Sequence, residues 1–200
     1  MINSGSDDVA RRWTMRLSVA VVAAVLLSGC SEEQEASESL PPASSAAPGE
    51  DLPSLGPDSF PVPPDAREKT PEGALAFAEY YLQLGIEIGS GNAPPEALGQ
   101  LSASCDLCQQ VISSLKQDVA AGYRHVGGSM TFAEYALPRL DGDAAEVGFV
   151  YSQSAYKVVD ADGQEVPSRS APATGELQSG MFLEWRDDLR SWTVDSLTIG

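Results

Sequence analysis

The sequence predicts an α+β fold, with N-terminal helices packed on a curved antiparallel sheet. Two observations carry this expectation. Between Thr70 and Gly122 the apolar residues recur at helical spacing, and from Met130 onward they alternate with polar ones at the two-residue period of a half-buried strand. A break in composition near residue 70 sets the domain at residues 70–200, long enough for one core. Helices followed by a run of strands belong to the α+β class.

Each element has its own signal. Thr70-Pro71-Glu72 is a helix start, with Thr as N-cap, Pro in the first position and an acid in the first turn. Ala74, Phe77, Ala78, Tyr81, Leu82 and Ile86 follow on one face, and Gly89-Ser90-Gly91-Asn92 ends the helix. A short helix is expected over residues 96–101. A third starts near Ser104, carries the stripe Cys108, Val111, Ile112, Leu115 and Val119, and stops at Gly122. Residues 130–137 form a strand, Asp141-Gly142 a hairpin turn, and Ala145, Val147, Phe149 and Tyr151 the alternating partner strand. A second hairpin is expected at residues 160–163. Met181, Leu183 and Trp185 alternate, residues 187–191 turn, and Trp192, Val194 and Leu197 close the chain. One helix cannot cover a flat sheet of this length, so the sheet is expected to curl around the first helix.

Charge narrows the partners. The net charge is −17 with a pI near 4.2. Such a chain repels phosphate backbones, which argues against nucleic acid. It also repels anionic headgroups, so a tether is needed to hold it near a membrane.

The N-terminus supplies an anchor. Arg11, Arg12 and Arg16 flank an apolar run of eleven residues, Leu17 to Leu27. As a helix this run is about 16 Å long, against a hydrocarbon core of about 30 Å. It is therefore too short to span comfortably and suits a signal-peptide core over residues 1–29. Leu27-Ser28-Gly29-Cys30 resembles the lipobox of bacterial lipoproteins. That resemblance implies cleavage between Gly29 and Cys30, and diacylglyceryl transfer to the Cys30 thiol. The chain would then sit on the extracytoplasmic face of the cell membrane, anchored by lipid on Cys30. Arg11-Arg12 also has the form of a twin-arginine signal, although the residues after it match poorly. Met15-Arg16 before the apolar run would itself serve as a start.

Residues 30–69 read as a disordered acidic tether. Eight of the fourteen prolines lie between Pro41 and Pro64, and Phe60 is the segment's single aromatic. So little apolar area cannot offset ordering entropy. The reach is on the order of 35 Å as a flexible coil and about 120 Å as polyproline II.

Within the domain, three features occur together. Thr70-Pro71-Glu72-Gly73-Ala74 opens a helix carrying Phe77 and Tyr80-Tyr81, Cys105-Asp106-Leu107-Cys108 follows, and Trp192-Thr193-Val194 comes late. The set resembles an actinobacterial lipoprotein family of unknown function. The order of three helices and a curved sheet is similar to the nuclear transport factor 2-like (cystatin-like, cone-shaped) superfamily. The first resemblance brings no activity. The second implies a pocket between helix and sheet, for which Tyr81, Tyr123, Phe149, Tyr151 and Trp192 are candidate lining residues. Such residues are more often plain core.

Cys105 and Cys108 are the two cysteines left once Cys30 is lipidated, and in an oxidising space an even pair points to a disulfide. Three residues apart at a helix start, they suit a small staple. The same spacing admits a thiol–disulfide oxidoreductase, although Asp106 beside the thiols works against an activated thiolate. No metal site is expected: two cysteines and His125 are too few ligands for zinc, and Asp160-Ala161-Asp162-Gly163 lacks the closing acid of a calcium loop, since residue 171 is Ala. His125 reads as a surface or pocket-edge residue, with no Ser or Asp at motif spacing. No cofactor is implied. The expected function is a non-catalytic binding or interaction module of the cell envelope. It would take a wall component, a small apolar ligand or another envelope protein, in an oligomeric state that the sequence leaves open. A redox enzyme using Cys105 and Cys108, or a pocket enzyme of isomerase type, are the alternatives.

Overall fold

The computed structural model describes residues 54–102 and 104–200. The export signal, Gly29, Cys30 and the tether up to residue 53 lie outside them. Helix α1 spans Pro71–Gly89, α2 Glu96–Gln100 and α3 Asp106–Ala120. Seven strands follow: β1 Arg124–Gly127, β2 Met130–Glu134, β3 Arg139–Asp141, β4 Ala144–Gln153, β5 Tyr156–Val159, β6 Leu177–Arg186 and β7 Ser191–Ile199. The main sheet runs β2-β4-β6-β7 with β3 also on β4, and every pair is antiparallel. Strands β1 and β5 form a separate antiparallel ribbon. This is an α+β domain with helices packed on an antiparallel sheet. Among the described residues no helix is long and apolar enough to cross a membrane.

The local signals act as their chemistry requires. The Thr70 hydroxyl accepts from Gly73 N–H at 3.0 Å, satisfying one of the donors that a helix start leaves open. Ala145, Val147, Phe149 and Tyr151 of β4 face inward, as do Met181 and Leu183 of β6 and Trp192 and Val194 of β7, and they meet Phe77, Ala78, Tyr81, Leu84 and Ile88 of α1. The strand expected over residues 130–137 breaks after Glu134. Four residues, 135–138, then lie opposite two on β4, and pairing resumes at Arg139. Pairing closes at Asp141 against Ala144, so the hairpin loop is Gly142-Asp143.

The stripe of α3 also differs in phase. Val111 and Val119, expected inside, are 39% and 48% exposed, and the buried row is Cys108, Ile112, Leu115 and Asp118. A carboxylate thus takes the position at which an apolar residue was expected.

The domain begins earlier than the composition suggests. Residues 54–69, expected to be disordered, lie against the domain and bury Leu55, Val62 and Ala66 in its core. Phe60 stacks on Tyr80 with centroids 5.2 Å apart, and the Tyr80 hydroxyl donates to Phe60 O at 2.8 Å. Burial pushes that hydroxyl up to about 12. Arg67 donates to Leu189 O at 2.6 Å, and Trp192 Nε1–H to Glu68 O at 2.9 Å. A few apolar side chains suffice because the domain supplies the other half of each contact. Composition alone registers only their scarcity.

Deleting residues 54–69 should lower stability by about 3 kcal/mol or more, counting only the burial of Leu55 and Val62. Urea melts of chains beginning at Ser54 and at Thr70 would measure this, and equal midpoints would return the segment to the tether.

Candidate functional site

A cavity of about 520 Å³ opens between α1, α3 and the far end of the sheet. This lies within the range of small-molecule sites. Leu82 and Ile86 of α1 and Leu107, Val111 and Leu115 of α3 give it apolar walls, and Tyr151, Leu197 and Ile199 close it from the sheet. Its polar end is formed by Asp118, His125, Tyr156 and Arg169.

The polar end is assembled by turn chemistry. Helix α3 stops in a Schellman motif: Gly122 takes φ +73°, its N–H donates to Val119 O at 3.0 Å, and Tyr123 N–H donates to Asp118 O at 2.8 Å. The chain therefore doubles back into β1, and His125 returns to Asp118 with Nε2 3.2 Å from Oδ2. Strand β5 pairs with β1 so that His125 faces Val158. Tyr156, on the same face of the ribbon, stacks on the imidazole with centroids 4.7 Å apart and planes at 15°. After β5, Asp160 makes the expected hairpin: its Oδ1 accepts from Asp162 and Gln164 N–H at 3.0 and 2.9 Å, and Gly163 takes φ +78°. The returning loop brings in Arg169. Its Nε–H donates to Asp118 Oδ1 at 2.8 Å, its Nη2 reaches the same oxygen, and Nη2 also donates to Ser114 O and Oγ at 3.2 and 3.0 Å. Both carboxylate oxygens of Asp118 are thus engaged, as a residue 6% exposed requires. The other imidazole nitrogen lies against the last turn of α1, where a Cβ on Gly89 would stand 2.5 Å from Nδ1. Only glycine admits the ring there.

Tyr81 projects from α1 into the cavity wall. Its hydroxyl is buried with no hydrogen-bond partner. Burial raises its pKa, and the Ser102 hydroxyl beside it works weakly in the opposite direction. Ser102 Oγ itself donates to Leu98 O at 2.7 Å, and its geometry towards Tyr81 falls short of a hydrogen bond. The phenol of Tyr151 donates to Gln153 Oε1 at 3.0 Å, and burial, with Tyr156 adding to it, raises its pKa.

Of the five aromatic residues that were candidates for lining a pocket, Tyr81 and Tyr151 do so. Phe149 and Trp192 are core instead. Phe149 is covered by Phe132, with ring centroids 4.9 Å apart, and Trp192 is sealed by the segment that ends at Glu68. Tyr123 is half-buried and outside the lining. Cys105 and Cys108 are joined in a disulfide with Cα atoms 5.1 Å apart. Cys105 Sγ caps α3 by accepting from Cys108 N–H at 3.1 Å, and both residues are 1% exposed. Asp118, Tyr156 and Arg169 were not anticipated. The one available signal was an acid three residues after Leu115 on the α3 stripe.

Asp118 and Arg169 should behave as a unit. Asp118→Asn and Arg169→Gln should each cost about 2–3 kcal/mol, and the double variant less than their sum by at least about 1 kcal/mol. Denaturant melts of the four chains give the coupling directly, and strict additivity would show that the pair does not hold α3 to the loop.

No family model matches the chain, and the comparison with curated proteins gives no match. Among solved structures, the intermembrane space region of the chloroplast protein ARC6 is similar at 11% identity and a TM-score of 0.46, over 66% of this chain and 97% of that one. So distant a likeness carries no argument about activity or partners.

Proposed function

We propose that this chain is an exported lipoprotein, cut between Gly29 and Cys30 and held by lipid on Cys30 to the extracytoplasmic face of the membrane, whose domain is a non-catalytic binding module. The observation that carries the binding role is the cavity between α1, α3 and the sheet, apolar along its walls and polar at one end. Helices laid on an antiparallel sheet, with a pocket between them, also suit the cone-shaped nuclear transport factor 2-like architecture, and we read the domain as a member of that superfamily. The anchoring role is supported by the basic flank, the short apolar run and Leu27-Ser28-Gly29-Cys30.

Burial weighs against the redox alternative. Thiol–disulfide exchange needs a sulfur that an incoming thiolate can reach, and neither Cys105 nor Cys108 exposes more than 1% of its surface. An isomerase would need an acid free to take a proton from substrate. Both oxygens of Asp118, the buried acid of the cavity, are already bonded to Arg169 and His125.

Two measurements test this reading. In a bacterial host, the chain should take up a clickable fatty acid and partition into detergent, and Cys30→Ala should abolish both; labelling that survives the substitution would remove the anchor. The neutral probe N-phenyl-1-naphthylamine should bind the mature chain saturably, and Val111→Trp, at the rim of the cavity, should weaken it at least tenfold. Unchanged binding would place the probe elsewhere and remove the pocket.

A further inference from the structure

The cavity's shape and hydrogen-bonding groups limit what fits it. Between Cys108 and Asp118 the α3 wall runs about 15 Å. Leu107 and Val111 line its first part, and Asp118 stands at its end. An occupant that matches it is elongated, with an apolar body and one polar end.

The site's cation, Arg169, keeps a hydrogen-bonding edge. Its Nε and Nη2 are engaged with Asp118 and Ser114, which leaves Nη1 towards an incoming acceptor, and the Tyr156 phenol lines the same end, with Ser168, Thr174 and Gln153 as neutral groups that donate or accept. The site's carboxylate is turned to its own partners, Oδ1 of Asp118 to Arg169 and Oδ2 to His125. A cationic head would stand beside the like-charged Arg169 guanidinium. An anionic head meets a guanidinium edge and a phenol, whose bonds to an anion are of the stronger, charge-assisted kind. The domain's overall negative charge opposes such a ligand only at long range, and physiological salt screens that over about 8 Å.

From this we infer that the cavity binds a single-chain amphiphile with an anionic head, of the fatty-acid class, its chain along α1 and α3 and its carboxylate at Arg169 and Tyr156. The inference rests on the binding-module reading above and names the ligand class of that same site.

The experiment uses the mature chain, residues 30–200 with Cys30→Ser so that no lipid of its own is present, loaded with N-phenyl-1-naphthylamine. Dodecanoate, dodecanol and dodecylamine are then compared as displacers below their aggregation concentrations. Dodecanoate should displace at a concentration at least tenfold below that of dodecylamine, with dodecanol between. Tyr156→Phe keeps the ring on His125 and removes only the hydroxyl. It should weaken dodecanoate three- to tenfold and leave the neutral probe unchanged. Equal displacement by all three heads, or the amine ahead of the carboxylate, would overturn the anionic head and leave the pocket standing. A probe that does not bind the loaded chain saturably, or that Val111→Trp does not affect, would overturn the binding module and this inference with it.

Discussion

A carboxylate on the buried row of a helix has to be neutralised where it lies, and the polar end of this domain is built around that requirement. Asp118 takes a position on α3 that its neighbours Cys108, Ile112 and Leu115 mark as core. Unpaired, a buried carboxylate costs several kcal/mol. The chain meets the cost with two partners from opposite directions. His125 comes from the reversal that Gly122 permits, and Arg169 from the loop after β5. The ribbon of β1 and β5 connects the two arrivals, since it fixes where Tyr156 stacks on the imidazole and where the returning loop begins. The Schellman stop, the ribbon outside the main sheet and the close approach of His125 to Gly89 thus converge on one residue.

The opposite end of the domain is governed by burial. The edge strand β7 would leave a row of unpaired backbone groups and a large indole open to solvent, an arrangement that invites association. Two pieces of chain cover it. Leu101 O accepts from Val194 N–H at 2.8 Å, joining the end of α2 to β7, and residues 54–69 cross to Trp192 and Leu189. The last part of the proline-rich approach is thus a strap with fixed contacts.

Legibility in the sequence followed the range of the physics. Features set by neighbours along the chain were readable: the Thr70 cap, the stripe of α1 as far as Tyr81 (beyond it Leu84 and Ile88 are buried where Leu82 and Ile86 were expected), the alternation on β4, the Asp160–Gly163 turn and the Cys105–Cys108 spacing. Features set by partners far away were not. Phe60 and Val62 look like residues of a disordered segment until Tyr80 and the core stand opposite them. Val119 and Asp118 occupy adjacent positions on α3, and periodicity alone favours burying the valine. Only a guanidinium 51 residues later makes the aspartate the buried one. The separate ribbon of β1 and β5 escaped for the same reason, because its role is to deliver that partner.

The same pairing bears on what the cavity is for. A catalytic acid or base works by changing its proton during turnover, which needs an oxygen or nitrogen open to the reacting atom. Here each oxygen of Asp118 is bonded, one imidazole nitrogen faces Asp118, and the other lies against Gly89. Taking either group into a reaction would loosen the contacts that hold α3 to the loop and to β1. Ligand binding asks the reverse of the site. It needs donors held in place whose own charges stay balanced when the cavity is empty, and the Asp118–Arg169 pair provides this: the guanidinium is kept in position by the carboxylate while its remaining edge stays open to an incoming acceptor.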